Sequence, residues 1–394
     1  MMNNKSLSAL VDQVRGVSYK PKDIHDTLND LSIVLLRANN IFDGSVDFSD
    51  VIYIDRKRVS PSQILRRGDI LVCASSGSKD LVGKAASFNC DGEYTFGAFC
   101  KVVRPKNVDD ADYISMFFQS PKYRREIAAS ALGANINNIR NEHIDNLIIN
   151  WPVKLNRDII VSLLNQSKSI ITLRKKQLQL FDELIKARFV EMFGNPVVGD
   201  RIKGNKHKIG DFASVTKLAG FEFTKYIKYK DSGDIIMLRG LNCKKGHLVL
   251  DDIKWIDQKT SDLLPRSKLY YGDILMTYAG TIGDVAMVDA DNKYHLAPNV
   301  GKITIEDKEN FNPIYLIHLF MYTHDYIMSF ASQVAQASIN MEKIRNFEYY
   351  FPNIEAQNRF EVFVKQVDKS KVAVQKSLEQ TQILFDSLMQ QYFG

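Results

Sequence analysis

The chain has only four cysteines among 394 residues, Cys73, Cys90, Cys100 and Cys243, and no two stand as C-x-x-C. That excludes the common zinc-binding and dithiol motifs and leaves buried, reduced thiols in a reducing compartment as the expectation. No apolar run approaches the roughly 18 residues needed to cross a bilayer. The opening MMNNKSLSALVDQV lacks the long apolar core of a secretory signal. A cytoplasmic protein with no membrane partner is therefore expected. The one stretch that resembles a phosphate loop, GSKDLVGKAA (77–86), has five residues between its outer glycines, and Ala85 follows Lys84. A phosphate loop needs four there, and a Ser or Thr hydroxyl for Mg²⁺. DELIK (182–186) lies within a helical run, where Glu and Lys form ordinary solvated faces. His318 and His324 are six residues apart, not the i, i+4 spacing that puts two metal ligands on one helix face. FGNP (193–196) is followed by Val197, so the second proline and the aromatic of an amino-methyltransferase motif are missing. No catalytic residue and no metal site can be assigned, which favours a binding role.

What is present is written twice. Leu36-Arg37 recurs as Leu238-Arg239 and YIDRK (53–57) as WIDQK (255–259), both at a shift of 202. GDIL (68–71) recurs at 272–275, a shift of 204, and Ile139, Ile144 and Pro152 recur as Ile339, Ile344 and Pro352, a shift of 200. LFDEL (180–184) falls on LFDSL (384–388), again at 204. Each match alone is weak, but their common order identifies a tandem duplication, roughly 1–194 and 195–394. The shifts imply that the second copy is about one helical turn shorter between GDIL and the proline, and about one turn longer after it.

Each copy opens with short β-branched runs separated by Gly, Asp and Asn, which read as strands, and continues with helically spaced stretches such as 111–131 and 313–335. Beyond each proline, residues 157–193 and 355–392 contain neither Gly nor Pro. Leu163, Ile170, Gln177 and Leu184 fall at heptad spacing with Leu173 and Leu180 between them, and Val367, Val374, Thr381 and Leu388 do so in the second copy, with Leu384 alongside. This is the pattern of a coiled-coil seam, on helices of ~55 Å at 1.5 Å per residue. Gln177 and Thr381 are either partly solvated or a polar pair that sets register. The expected fold is α+β: a mixed domain at 1–152, a helix at 153–194, a second mixed domain at 195–352 and a helix at 353–394, with the two long helices antiparallel in a pseudo-two-fold repeat.

Net charge is +6, from 52 basic and 46 acidic residues, which permits a nucleic-acid partner without demanding one. ALGANINNIRNEH (131–143) carries four Asn and one Arg, and VAQASINMEKIR (334–345) takes the same place in copy two. Asn and Gln can pair with adenine edges and Arg with guanine, and polar loops on both copies would present such groups to duplex DNA. PKYRRE (121–126) and FEFTKYIKYKDSG (221–233) interleave basic residues with Tyr and could hold phosphates. The candidate DNA-binding residues are Asn137, Asn138 and Arg140 in one copy and Ser338, Asn340 and Lys343 in the other. Ser76, Lys79, Tyr278 and Thr281, after each GDIL, are expected near the groove.

The ordered pair of repeats (GDIL, polar loop, isoleucine pair, proline, long helix, MFGNP) resembles the specificity subunit of Type I restriction–modification systems over essentially the whole chain. The resemblance implies two target-recognition domains, each reading half of a split asymmetric target in double-stranded DNA. It also implies long helices that space the domains and hold two modification (methyltransferase) subunits, joined by two restriction (endonuclease and translocase) subunits. S-adenosylmethionine, ATP and Mg²⁺ are then expected on those partners and not on this chain. CASSGSKDLVG after the first GDIL differs from TYAGTIG after the second, so the domains should read different half-sites. A specificity subunit of a Type IIB-like enzyme is one alternative, and a coiled-coil scaffold that binds no DNA is another. The purified chain alone is predicted to show no methyltransferase, nuclease or ATPase activity. Methyl transfer from labelled S-adenosylmethionine to DNA by the isolated chain, free of partner subunits, would contradict this.

Overall fold

The computed structural model describes residues 4–78, 81–131, 138–332 and 337–394. The chain divides into two compact units, and neither coincides with one sequence copy. Unit 1 is Met1–Lys175 together with Lys376–Gly394, and unit 2 is the continuous segment Lys176–Gln375. Each of two 40-residue helices, the central helix Lys154–Phe193 and the C-terminal helix Ile354–Phe393, contributes one half to each unit.

In unit 1, a six-stranded sheet runs 11–15, 100–105, 69–73, 85–88, 45–46, 41–42, and a four-stranded sheet runs 94–96, 32–36, 52–55, 24–25. Unit 2 repeats this plan. One four-stranded sheet runs 213–217, 300–305, 274–277, 285–287, and another runs 254–256, 235–238, 294–296, 268–269. In both units the second sheet contains one parallel pair, 94–96 with 32–36 and 294–296 with 235–238. DILVC (69–73) and ILMT (274–277) are buried at every position, as expected of central strands covered on both faces. Helices Ala111–Phe118 and Pro121–Ala131 cover unit 1, and Pro313–Tyr322 and His324–Met328 cover unit 2, where helical spacing was expected.

The GDIL repeat is a strand-entry device. Gly68 and Gly272 take φ of +88° and +85°, the left-handed region that only glycine enters without strain. The next residue turns its carboxylate back on the chain. Asp69 accepts from the Arg66 amide (2.8 Å), and Asp273 from the Tyr270 amide (2.9 Å). Both carboxylates are buried, and each has a partner on the neighbouring strand. Arg104 donates to Asp69 through Nε at 2.8 Å and Nη2 at 2.7 Å, and the Thr304 hydroxyl donates to Asp273 at 2.5 Å. The motif is therefore structural, since a buried carboxylate left unpaired would cost several kcal/mol.

The start of each long helix is clamped to its own domain. Arg157 donates to the Pro152 carbonyl (2.7 Å) and to Asp110 (2.6 Å), and its guanidinium lies 4.2 Å from the centre of the Trp151 ring. Gln357 donates to the Pro352 carbonyl (2.8 Å) and accepts from the Asn312 amide (2.9 Å). Within each unit the helix halves run antiparallel. In unit 1, Ile160 and Leu164 share a core with Met389 and Phe393, while Ile171 and Lys175 line one cleft with Gln382 and Phe385. In unit 2, Arg188 lies over Phe363 and Asp182 pairs with Lys371 at 2.7 Å.

Two expectations are corrected. The stripe of the central helix that packs is Ile160, Leu164, Ser167 and Ile171 in unit 1 and Leu178, Phe181 and Ile185 in unit 2. Leu163, Ile170 and Leu184 lie one residue before this stripe and are 40, 44 and 46 % exposed; Leu173, Leu180 and Leu384 are exposed too. Ser167 and Arg174 interrupt the packed stripe, so the more apolar neighbouring stripe dominated the periodicity. On the C-terminal helix, Val367 and Val374 are buried and Thr381 and Leu388 half-buried. Gln177 is half-buried, and the Thr381 hydroxyl donates to Ser377 O of its own helix (2.8 Å). The second correction concerns helix length. Both long helices have 40 residues and correspond at a shift of 200, so the LFDEL and LFDSL match is slid by one turn and the second helix is no longer than the first. The four-residue difference lies in the post-GDIL loop, which spans 74–84 in unit 1 and 278–284 in unit 2.

Among the described residues, no helix is long and apolar enough to cross a membrane, and no group of three or more His, Cys, Asp or Glu could hold a metal ion. All four cysteines are free thiols, and burial pushes those of Cys73, Cys100 and Cys243 up.

Phe393 and Phe193 occupy equivalent places, one in each core. Phe393→Ala is predicted to cost unit 1 about 3–5 kcal/mol and Phe193→Ala to cost unit 2 the same. Hydrogen exchange should accelerate around Tyr113 in the first variant and around Tyr315 in the second. Equal loosening of both units by either variant would contradict the division.

Candidate functional site

In each unit, loops meet at the carboxyl ends of equivalent strands. In unit 1 the strand Ser32–Leu36 delivers Arg37, the strand Asp69–Cys73 delivers Ser75 and Ser76, and a turn at 97–99 precedes Cys100. The Gly97 amide donates to Leu36 O (2.9 Å), and the amides of Ala74 and Ser75 both donate to Phe99 O (2.9 and 3.0 Å). The Ile139 amide donates to Ala74 O (2.8 Å), with a β-bridge between Ser75 and Asn138. Unit 2 repeats the frame. Ala297 donates to Leu238 O (3.2 Å), Tyr278 to Asn299 O (3.0 Å) and Ile339 to Tyr278 O (2.9 Å), and Ala279 bridges to Ser338. The post-GDIL loop and the polar loop, some sixty residues apart in sequence, are therefore neighbours in both units. In unit 1 the post-GDIL loop borders a cleft of about 670 Å³ whose walls include Tyr19, Arg37, Asn39, Ser76 and Phe99.

A shared arginine stands beside these loops. The Arg37 amide donates to Asn40 Oδ1 (2.7 Å), and the buried Asn40 amide group donates to the carbonyls of Asp47 and Asp50 (2.7 and 2.9 Å). Arg37 Nη2 lies 3.0 Å from the Asp50 carboxylate. Arg239, Asn242 and Asp252 reproduce the arrangement, with 3.0 Å from the Arg239 amide to Asn242 and 2.7 Å from Arg239 Nη2 to Asp252. In both copies the arginine Nε is buried without a hydrogen-bond partner. The carboxylate fixes the guanidinium, and a fixed guanidinium suits phosphate or guanine.

The residues singled out in the sequence fall as follows. Asn138 and Arg140 are exposed, and Arg140 pairs with Glu142 at 3.3 Å. The Ser76 hydroxyl accepts from the Ser78 amide (3.1 Å). Lys79 and Asn137 lie outside the described residues. Thr281 is exposed; Tyr278 is half-buried, with the Lys217 ammonium 5.3 Å from its ring centre. Ser338 is half-buried in the bridge. Asn340 is exposed but caps the helix Met341–Arg345 by accepting from the Lys343 amide (2.8 Å), and Lys343 Nζ donates to Phe330 O (2.7 Å). Both of these residues thus have structural work. Within the basic clusters, Tyr123 is buried, and Arg124 Nη1 donates to Val82 O (2.8 Å), holding the post-GDIL loop. Lys230 pairs with Asp257 at 2.6 Å.

Sequence reasoning missed Arg37 and Arg239 as site residues, although the repeated Leu-Arg at the end of an apolar run was their signal. It also missed Lys101. This residue is 7 % exposed, and its Nζ donates to Asn141 Oδ1 (2.6 Å), Gln13 Oε1 (3.0 Å) and Ile139 O (3.4 Å). Burial pushes its ammonium pKa down, against the attraction of Asp145. Unit 2 has Gly301 there, and the Met341 side chain packs 3.3 Å from where a Cβ would stand, a tight contact. A lone lysine within the strand CKVVRP carried no signal.

Residues 204–383 match the family described as Type I restriction modification DNA specificity domain. The chain is 32% identical over 289 residues to the Type I restriction enzyme EcoKI specificity subunit of Escherichia coli (strain K12), covering 70% of this chain and 61% of that one. It is 34% identical over 180 residues to the Type I restriction enzyme StySPI specificity subunit of Salmonella potsdam, covering 46% and 39%. The chain thus spans 61% and 39% of the lengths of these two relatives. A chain solved in work on complex assembly and conformational transition of the type I R-M system shares its fold, with TM-score 0.59, 14% identity and coverage of 100% of this chain and 97% of that one.

Lys101→Ala is predicted to leave Asn141 and the Ile139 carbonyl without this partner, at a cost of about 1–3 kcal/mol. Amide exchange at 138–141 should accelerate, while the equivalent segment 338–341 stays protected. Unchanged exchange at 138–141 would show that the loop does not depend on this lysine.

Proposed function

Because the chain belongs to the family of Type I restriction–modification specificity subunits, we propose that it recognises a split, asymmetric DNA target, each unit reading one half. The observation that carries this reading is the duplicated loop frame: the same strand ends, arginine and bridge occur in both units, with different side chains on the loops. Arg37 and Arg239, being common to both, suit the sugar–phosphate backbone, which fixes orientation without reading sequence. Asn138, Arg140 and Ser76 in unit 1, and Tyr278, Thr281 and Ser338 in unit 2, are the polar groups available to base edges. Lys79 and Asn137, outside the described residues, are candidates from the sequence alone, and Asn340 and Lys343 support the loop of unit 2.

The chemistry belongs to partners in this reading. Two modification subunits bind S-adenosylmethionine and methylate adenine, and two restriction subunits use ATP and Mg²⁺ to translocate and cut. The apolar side chains that the central helix leaves exposed, Leu163, Ile170 and Leu173 in unit 1 and Leu180 and Leu184 in unit 2, support a role in docking these subunits, since an exposed apolar stripe costs solubility unless covered. The long helices set the spacing between the half-sites.

The test is a domain exchange read by sequencing of methylated adenines. With the modification subunit co-expressed, replacing residues 1–150 by those of a relative should change one half of the methylated motif and spare the other. Asn138→Ala should relax one half-site at a cost of ~1–3 kcal/mol in discrimination. A chimera that alters both halves would overturn independent reading, and a parent complex that methylates no defined motif would overturn DNA recognition itself.

A further inference from the structure

The duplication allows the common frame to be separated from what it displays. The turn after the strand Tyr94–Phe96 and the turn after the strand Tyr294–Leu296 sit at the same place in their units, and their last residues are Phe99 and Asn299. Both are fixed by the main chain. Phe99 O accepts from Ala74 and Ser75, and Asn299 O accepts from Tyr278. The Asn299 amide also donates to the Tyr278 hydroxyl (3.3 Å). Both side chains are nonetheless exposed, Phe99 by 71 %. Phe99 stands on the wall of the cleft that holds Tyr19, Arg37, Asn39 and Ser76. A large apolar ring presented to solvent by a clamped turn, among polar groups, has no packing role in its own unit.

We propose that Phe99 and Asn299 are specificity-determining residues: Phe99 reads its half-site by apolar contact with a base, and Asn299 reads the other by hydrogen bonds from its amide. The inference rests on the DNA-recognition reading. The shared arginines cannot distinguish the half-sites, because both units carry them. The turn residue can, because one frame presents two chemistries. An apolar side chain meets the thymine methyl group, whereas an asparagine amide offers the donor and acceptor that match adenine in the major groove. Asn299 also has φ of +67°, which asparagine tolerates and phenylalanine does not, so the side chains are not interchangeable.

The experiment co-expresses each variant with the modification subunit in a strain without adenine methylation and maps methylated adenines, with binding of the purified complexes to DNA as a second readout. Phe99→Ala should relax one position in one half of the motif, lowering discrimination there about 10- to 100-fold, with the other half unchanged. Phe99→Leu should keep the motif because it keeps an apolar surface. Asn299→Ala and Asn299→Gly should both relax the other half. The glycine variant keeps the left-handed backbone, so its loss reports the amide and not strain. Uniformly lower methylation with an intact motif, relaxation of both halves by one variant, or no change would overturn the assignment. Absence of any defined motif with the parent chain would instead overturn DNA recognition.

Discussion

The structure depends on two aromatic side chains that close cores built from the other sequence copy. Phe393 lies 5.0 Å, ring centre to ring centre, from Tyr113, and Phe193 lies 4.9 Å from Tyr315. Each ends a long helix that began beside a different domain, and each is nearly fully buried. Burial of such a ring stabilises by a few kcal/mol, a large share of the stability of a unit this size. The cores they complete support the sheets, the sheets fix the strand ends, and the strand ends carry the loops. The position of a loop residue such as Asn138 thus traces back to a helix end that belongs to the other repeat.

This dependence accounts for the division between constant and variable parts. The glycine of GDIL, its buried aspartate, the Arg–Asn–Asp module and the paired bridges are the same in both units because they build the frame. Asp69 and Asp273 even keep the same backbone bond while exchanging the cross-strand partner, Arg104 in one and Thr304 in the other. The post-GDIL loops differ in length and chemistry, and Lys101 supports one polar loop where Met341 packs on Gly301 in the other. A frame that tolerates such exchanges can present different surfaces without altered folding.

Much of this was legible in the sequence. The repeat, the strand and helix types and the presence of both long helices can be read from local pattern, whereas the apparent extra turn in the second helix came from matching LFDEL to LFDSL. That the post-GDIL loop and the polar loop are neighbours was not legible, because their pairing spans some sixty residues. The unit boundaries were not legible, because pairing Phe393 with Tyr113 is a contact across 280 residues and no periodicity encodes it. The packed stripe of the central helix was read one residue out of place, because Ser167 and Arg174 lie in it while leucines lie beside it. The chemistry of Asn340 and Lys343 suits base contact, but the helix cap and the Phe330 carbonyl already occupy them.

The discontinuity of unit 1 has a consequence for the order of folding. Unit 2 is one continuous segment, complete once residue 375 has been made. Unit 1 has all its strands by residue 175 but lacks the helix end at 376–394, which arrives 200 residues later. At roughly 5–20 residues per second, its aromatic core around Tyr113 stays uncapped for about 10–40 s during synthesis. The N-terminal part of the chain is thus made first and finished last, and during that interval its open core is the surface on which a chaperone, or a stray helix from another chain, would act.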